Sequence, residues 1–412
     1  MPTILRADRL IDGTGATPID DPYLITDGGK IAAVHAGGIP EGAVPPGTQT
    51  MSFPGCTILP GLIDTHVHLN LPGDGSLLET IMRETDGVLL AIAAHTARTA
   101  LDAGITTVRD VGAARDTVFD LRRALQLGHG TAAKIVAGGQ PITITGGHTW
   151  PWGGEADGED GCRCIVRNMC KRGADFIKVM ATGGGTVGTL SWLPSFRPEE
   201  LKALADEAHR NGRMATAHAL CARAIEDVID AGFDQIEHAS FITGPNAPQK
   251  YEPAVGEKIA RAGIPVTGTL AVGGAILREL GGKSDPTPDE QFTVTRWRRM
   301  YDENLAQFQQ LYAAGVTFVA GTDAGWRFTR FDDLGLEMQL MHAGGMPVME
   351  TIVAATGRAA DVIRIADRTG RLKPGLAADV LVVAGNPLDD LKRLNDVRFV
   401  MQDGKVRVQH NG

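Results

Sequence analysis

The sequence predicts an α/β protein, a (β/α)8 TIM barrel carrying a small β-sandwich domain formed by the N- and C-terminal segments. Three observations carry that expectation. Between residues 59 and 370, short apolar runs alternate with Ala- and Leu-rich stretches of helical character. Both ends instead show short β-rich runs separated by Asp-Gly turns. At 412 residues the chain has room for a barrel of roughly 250 residues and a smaller partner.

From the N-terminus, Thr3-Ile4-Leu5, Tyr23-Leu24-Ile25-Thr26 and Lys30-Ile31-Ala32-Ala33-Val34 read as strands, the last two joined at Asp27-Gly28-Gly29. Barrel strands are expected at Leu62–His68, Ile105–Val111, Lys134–Ala137, Phe176–Ala181, Met214–His218, Gln235–His238, Pro265–Leu270 and Thr317–Thr322. Val88–Ala103, Pro198–Asn211 and Ala222–Ala231 read as helices between them. Strand grammar returns at Asp379–Val383, Val397–Met401 and Lys405–Val408, with a turn at Asp403-Gly404. Neither end is long enough to bury a core alone. Residues 1–58 and 371–412 are therefore expected to form one sandwich, with 59–370 inserted as the barrel. No repeat of the solenoid kind is present.

The composition, 43% hydrophobic and 22% charged, is that of an ordinary globular protein. A net charge of -9 argues against a nucleic-acid partner, which needs clustered Lys and Arg. No apolar run approaches the roughly 18 residues of a membrane helix, and residues 1–20 lack the apolar region of a signal peptide. The five cysteines, an odd number, suit a reducing cytoplasm better than a disulfide framework. Cys162-x-Cys164 with Cys170 lacks the spacing of paired zinc knuckles.

The chemistry lies where apolar strands end in polar side chains. In Gly61-Leu62-Ile63-Asp64-Thr65-His66-Val67-His68 the two imidazoles are two apart, so a strand presents both on one side. Lys178, His218, His238 and Asp323 each fall late in a later strand run. A barrel places all six at its C-terminal mouth. Four imidazoles and a carboxylate suit one or two Zn-like ions, and a buried Lys and Asp need partners.

On these residues the chain resembles the amidohydrolase superfamily over nearly its whole length. Flanking matches are Pro60-Gly61-Leu62-Ile63-Asp64 and Gly370-x-Leu372-x-Pro374-Gly375-x-x-Ala378-Asp379. Within the superfamily it is similar to the prolidase-like and imidazolonepropionase-like group. That likeness rests on Gly104-Ile105-Thr106-Thr107-Val108-Arg109-Asp110, Thr145-Gly146-Gly147-His148, and Lys178 followed by Ala181-Thr182-Gly183-Gly184. The resemblance implies that His66, His68 and Asp323 hold the more buried of two divalent ions, Zn in the first instance, and that His218 and His238 hold the more exposed one. Lys178, N6-carboxylated by carbon dioxide, would bridge them, as a buried and neutral amine permits. The ion pair would activate a shared water and polarise the scissile carbonyl. Asp323 would act as general base and then acid, and His148 would meet the carbonyl oxygen or its oxyanion. Relatives in this group hydrolyse Xaa-Pro dipeptides, N-acyl amino acids including aromatic mycotoxin amides, and aryl carbamates, ureas or thiocarbamates. The expected partner is a small-molecule substrate, and family analogy implies a homo-oligomer.

Trp150 and Trp152 are candidates to wall an apolar pocket, or else to brace a loop or a subunit contact. Trp192 and Trp326 are further candidates, and Arg327 is a candidate carboxylate ligand beside the reading of a surface arginine. Arg109-Asp110 reads as a structural ion pair. Gly183-x-Gly185-x-x-Gly188 matches a dinucleotide fingerprint, but no helix is expected to follow it. These glycines read instead as letting backbone pass close to the metal site. Two other functions fit these residues less well. A non-catalytic scaffold would have lost ligands, and none is lost. A mononuclear cyclic-amidine hydrolase or deaminase would carry an HxxE-type element after strand five, where Ala219-Leu220-Cys221 stands.

Overall fold

The computed structural model describes residues 2–37, 44, 47–76, 78 and 82–410. Its N-terminal strands are β1 (Thr3–Leu10), β2 (Ile19–Asp20), β3 (Pro22–Asp27), β4 (Lys30–Ala36) and β5 (Gln49–Pro60). The β3–β4 hairpin turns on Gly28 and Gly29, both at positive φ (55° and 83°), the backbone that a two-residue turn between twisted strands requires.

The barrel strands follow: β6 (Leu62–Val67), β7 (Ile105–Asp110), β8 (Lys134–Ala137), β9 (Phe176–Met180), β10 (Met214–Ala219), β11 (Gln235–His238), β12 (Val266–Thr267) and β13 (Phe318–Val319). Within the runs β6-β7-β8 and β9-β10-β11-β12-β13 every pair is parallel. Backbone hydrogen bonds join the two runs at both seams. Thr65 donates to the Ala320 carbonyl (3.1 Å) and Asp323 to that of His66 (2.8 Å). At the other seam Asp175 donates to Ala137 and Ile142 to Lys178, both 2.8 Å. The ring so formed is a (β/α)8 barrel. Its helices pack outward on an apolar cluster that includes Leu101, Val166, Leu204 and Ile225.

The last strands, β14 (Val380–Ala384), β15 (Val397–Gln402) and β16 (Lys405–Gln409), pair with the first in the order β16-β15-β14-β5-β1-β3-β4. The sandwich expected from the two ends is thus one continuous sheet, stitched where β14 runs antiparallel to β5. Alternation sorts its side chains. Ile58, Val380, Val382 and Phe399 join Leu5, Leu10 and Leu24 in the sheet's own cluster. Their neighbours Leu59, Leu381, Val383 and Val400 join the barrel cluster. No helix among the described residues is long and apolar enough to cross a membrane. All five cysteines are free thiols.

Candidate metal centre

Because the barrel strands are parallel, their C-terminal ends share one mouth, and the polar residues noted in the sequence converge there. His66, His68, His148, Lys178, His218, His238 and Asp323 all line one cavity of about 270 Å³. His66 and Lys178 are 1% exposed. Ring centroids lie 5.0 Å apart for His66 and His238, and 4.6 Å for His218 and His238. Ligand atoms of His66, His238 and Asp323 fall within 4.8 Å of one another, a spacing that could hold a metal ion.

Each strand-end imidazole is tied through one ring nitrogen. His66 Nδ1 meets Glu237 Oε2 (2.8 Å), and His68 Nδ1 meets the Gly112 carbonyl (3.0 Å). His238 Nδ1 meets Thr269 Oγ1 (2.8 Å), and His218 Nε2 meets the Gly183 carbonyl (3.1 Å). Carboxylates and carbonyls only accept, so the tied nitrogens of His66, His68 and His218 carry the proton. Burial, reinforced by the neighbouring Lys178 charge, pushes the His66 pKa down to about 4. Burial also pushes His218 and His238 well below the usual imidazole range. The free nitrogens of His66 and His218 are therefore bare lone pairs at neutral pH. His66 Nε2 and His68 Nε2 face Asp323 Oδ1 at 3.6 and 3.2 Å. The bare His66 lone pair and the Asp323 carboxylate repel unless a cation lies between them, so the donor set fits a divalent metal. Burial, the largest influence on Lys178, lowers its pKa to about 8, which brings a neutral amine within reach.

Buried acids brace the backbone around these residues. Asp64 accepts from the His66 and Thr322 amides (3.1 Å each) and from Thr322 Oγ1 (2.6 Å). Asp110 accepts from the amides of Leu69 (2.7 Å) and Gly112 (3.2 Å). Burial raises both carboxyls to about 7. His238 and Asp323 sit at φ 74° and 60°, strained for non-glycine residues and typical of functional sites.

The Amidohydrolase family model matches residues 57–407. The chain belongs to the amidohydrolase family. This amidohydrolase is 29% identical to an ochratoxinase from Aspergillus niger, over 98% of its own length and 86% of the relative's. A solved Xaa-Pro dipeptidase with methionine in its active site superposes with a TM-score of 0.86, at 27% identity, over 99% of this chain and 100% of that one. Molinate hydrolase shares the fold at a TM-score of 0.80 and 23% identity, over 98% and 94% of the two chains. The protein is a hydrolase acting on carbon–nitrogen bonds.

Around the mouth, Trp152 lines the cavity with its ring 5.0 Å from that of His68, and Trp326 and Arg327 line it too. Trp150 is 45% exposed, and neither it nor Trp192 is among the lining residues. The Gly183–Gly188 segment opens no helix, since none begins before Pro198. A Cβ on Gly184 would overlap the His148 imidazole, and one on Gly185 the Trp326 ring, which is the close backbone approach the sequence suggested. The expected Arg109–Asp110 pair is absent. Neighbouring strand residues point to opposite faces, and Arg109 Nη2 instead donates to Glu237 Oε1 at 2.7 Å. Glu237, Asp64 and Arg296 with Trp297 at the rim were missed by sequence reasoning. For Glu237 the signal was available, an acid inside the apolar run Gln235-Ile236-Glu237-His238.

Proposed function

We propose that this amidohydrolase is a binuclear metal-dependent enzyme cleaving an amide-type C–N bond in an N-acyl amino acid, an Xaa-Pro dipeptide or an aryl amide, carbamate or urea. The observation that carries this reading is the convergence of His66 Nε2, a bare lone pair, and His68 Nε2 on Asp323 Oδ1. His66, His68 and Asp323 are assigned to one ion, His218 and His238 to the other, and N6-carboxylated Lys178 to the bridge. Two divalent ions, Zn in the first instance, would supply Lewis acidity and an acidified water. Asp323, which faces His66 and His68, would take the water's proton and hand it to the leaving nitrogen.

His148 has a role its hydrogen bonds support. The Thr149 amide donates to Thr186 Oγ1 (3.0 Å), and that hydroxyl lies 2.8 Å from His148 Nδ1. With Thr186 donating its own proton to Nδ1, Nε2 keeps the hydrogen. Burial, the largest influence, takes the His148 pKa down to about 3, so the ring stays neutral and offers Nε2–H to a developing oxyanion. Trp152, Trp297, Trp326, Met300 and Ile242 line the cavity with apolar surface suited to a bulky acyl or aryl group, and Arg327 is assigned to substrate binding. The likeness to an ochratoxinase and to an Xaa-Pro dipeptidase supports such a substrate.

The test is a panel of proline dipeptides, N-acyl amino acids, aryl amides, carbamates and ureas, assayed with zinc-reconstituted protein. Turnover is expected on at least one class, abolished by chelator and restored by zinc, with two ions per chain. Activity that survives chelation, or full activity in His66→Ala, overturns the reading. One ion per chain with an unmodified Lys178 would favour a mononuclear deaminase instead.

A further inference from the structure

Beneath the mouth the barrel interior is not apolar. Arg109, on β7, is 2% exposed and donates from Nε to the Thr65 carbonyl (2.6 Å), from Nη1 to Gln235 Oε1 (2.7 Å) and from Nη2 to Glu237 Oε1 (2.7 Å). Thr216 Oγ1, on β10, donates to the same Glu237 oxygen at 2.6 Å. Gln235 Nε2 donates to Thr267 Oγ1 on β12 at 2.7 Å. The one Glu237 oxygen left, Oε2, accepts from His66 Nδ1 on β6 across the barrel (2.8 Å). Glu237 is fully buried and, like Arg109, lies below the residues that line the cavity. Its hydrogen bond to the mouth is the one with His66.

We infer that Glu237, anchored by Arg109 and Thr216, is a positioning residue that fixes the tautomer and ring angle of His66 and so sets the affinity of the metal centre. The inference rests on the metal reading above. An imidazole that binds a cation through Nε2 must hold its proton on Nδ1, and a carboxylate that can only accept enforces that choice. His68 and His218 receive the same instruction from backbone carbonyls, which no substitution of a side chain removes. Only His66 among the four strand-end imidazoles takes it from a side-chain carboxylate. That carboxylate keeps its own angle because two donors, Arg109 Nη2 and Thr216 Oγ1, hold its far oxygen. Turning Glu237 away would leave the buried Arg109 guanidinium one acceptor short.

The test compares zinc affinity, by competition with a chromogenic chelator, and the visible absorption of the cobalt-substituted protein. Glu237→Asp keeps a charge for Arg109 but withdraws the oxygen from His66 by one methylene. Arg109→Met/Glu237→Leu removes both buried charges together with the acceptor for His66 Nδ1, and serves where Glu237→Asp alone fails to fold. Ile225→Ala, a truncation in the apolar cluster of the helical ring, controls for simple loss of stability. Expected is about 10- to 100-fold weaker zinc binding and an altered cobalt spectrum in Glu237→Asp and the double variant, with both readouts unchanged in Ile225→Ala. Wild-type affinity and spectrum in Glu237→Asp and the double variant overturn the inference while leaving the metal reading intact. A wild-type protein that binds no zinc overturns both.

Discussion

A methyl group on the Gly184 backbone would occupy the space of the His148 ring. That ring cannot retreat, because Thr186 holds Nδ1 and the side chain is buried. Gly184→Ala should therefore lower kcat by about 10²-fold, as expected when one oxyanion donor is lost, with metal content unchanged and Tm lowered by no more than a few degrees as the overlap forces a local shift. Steady-state kinetics beside metal analysis decides it, and a fully active Gly184→Ala removes His148 from the chemistry. The mouth residues themselves were legible one by one, because a histidine, lysine or aspartate closing an apolar run has little structural reason to be there. Their supports were not. Arg109 has an acid beside it in sequence, yet its partner Glu237 lies 128 positions away, and only the closed sheet brings the two together.

Among the elements, β12 and β13 depart furthest from the sequence expectation. Apolar runs suggested Pro265–Leu270 and Thr317–Thr322, whereas pleated pairing covers only Val266–Thr267 and Phe318–Val319. The chain leaves the pleat through left-handed residues, Thr269 at φ 50° and Asp323 at φ 60°, to aim side chains at the mouth. Hydropathy carries no trace of that turn. After β12 the helix Ala271–Leu280 begins against another helix, Leu334–Ala343, whose Glu337 accepts from the Ala271 amide through Oε2 (2.6 Å). Glu337 Oε1 has no partner. Burial, aided by the charges of Asp64 and Asp323, raises this carboxyl to about 8. The folded state thus holds a proton that the unfolded chain releases near its ordinary value of about 4.5. Its contribution to stability is full below that value and falls as pH rises toward about 8. Glu337→Gln keeps an acceptor for Ala271 and carries no charge to bury. Relative to wild type it should gain stability from pH 5 to pH 8, by on the order of 3 kcal/mol at the upper end. Denaturant melts at those two pH values measure the difference, and parallel pH profiles for the two proteins would refute the assignment.

At the scale of the whole molecule, the joining of both chain ends in one sheet was readable because neither end alone can bury its apolar face. What locks that sheet to the barrel was not readable, since it depends on side chains more than 200 positions apart. Lys134, at the start of β8 and so remote from the catalytic mouth, donates to Asp379 Oδ1 (3.0 Å), Asp379 Oδ2 (2.8 Å) and Asp403 Oδ1 (2.6 Å), across separations of 245 and 269 residues. Asp379 is 2% exposed and keeps two further donors, Thr369 Oγ1 (2.7 Å) and the Asp403 amide (3.0 Å). Gln402 adds a second tie, from Nε2 to the carbonyls of Thr106 (3.1 Å) and Ala132 (3.0 Å). Lys134→Met retains the aliphatic stem and removes the charge, leaving a buried carboxylate short of a cation. Because those two donors remain and Lys134 is partly exposed, the cost should be about 1–3 kcal/mol rather than that of stripping a fully buried pair. Calorimetry should show Tm lowered by a few degrees, while kcat and KM stay at wild-type values because the ligands hang on the opposite ends of the strands. An unchanged Tm would mean that Gln402 and the apolar contacts of Leu59 and Leu381 hold the sheet without help. A fall in kcat at temperatures well below Tm would mean instead that the sheet built from the chain ends steers the mouth through the length of the barrel.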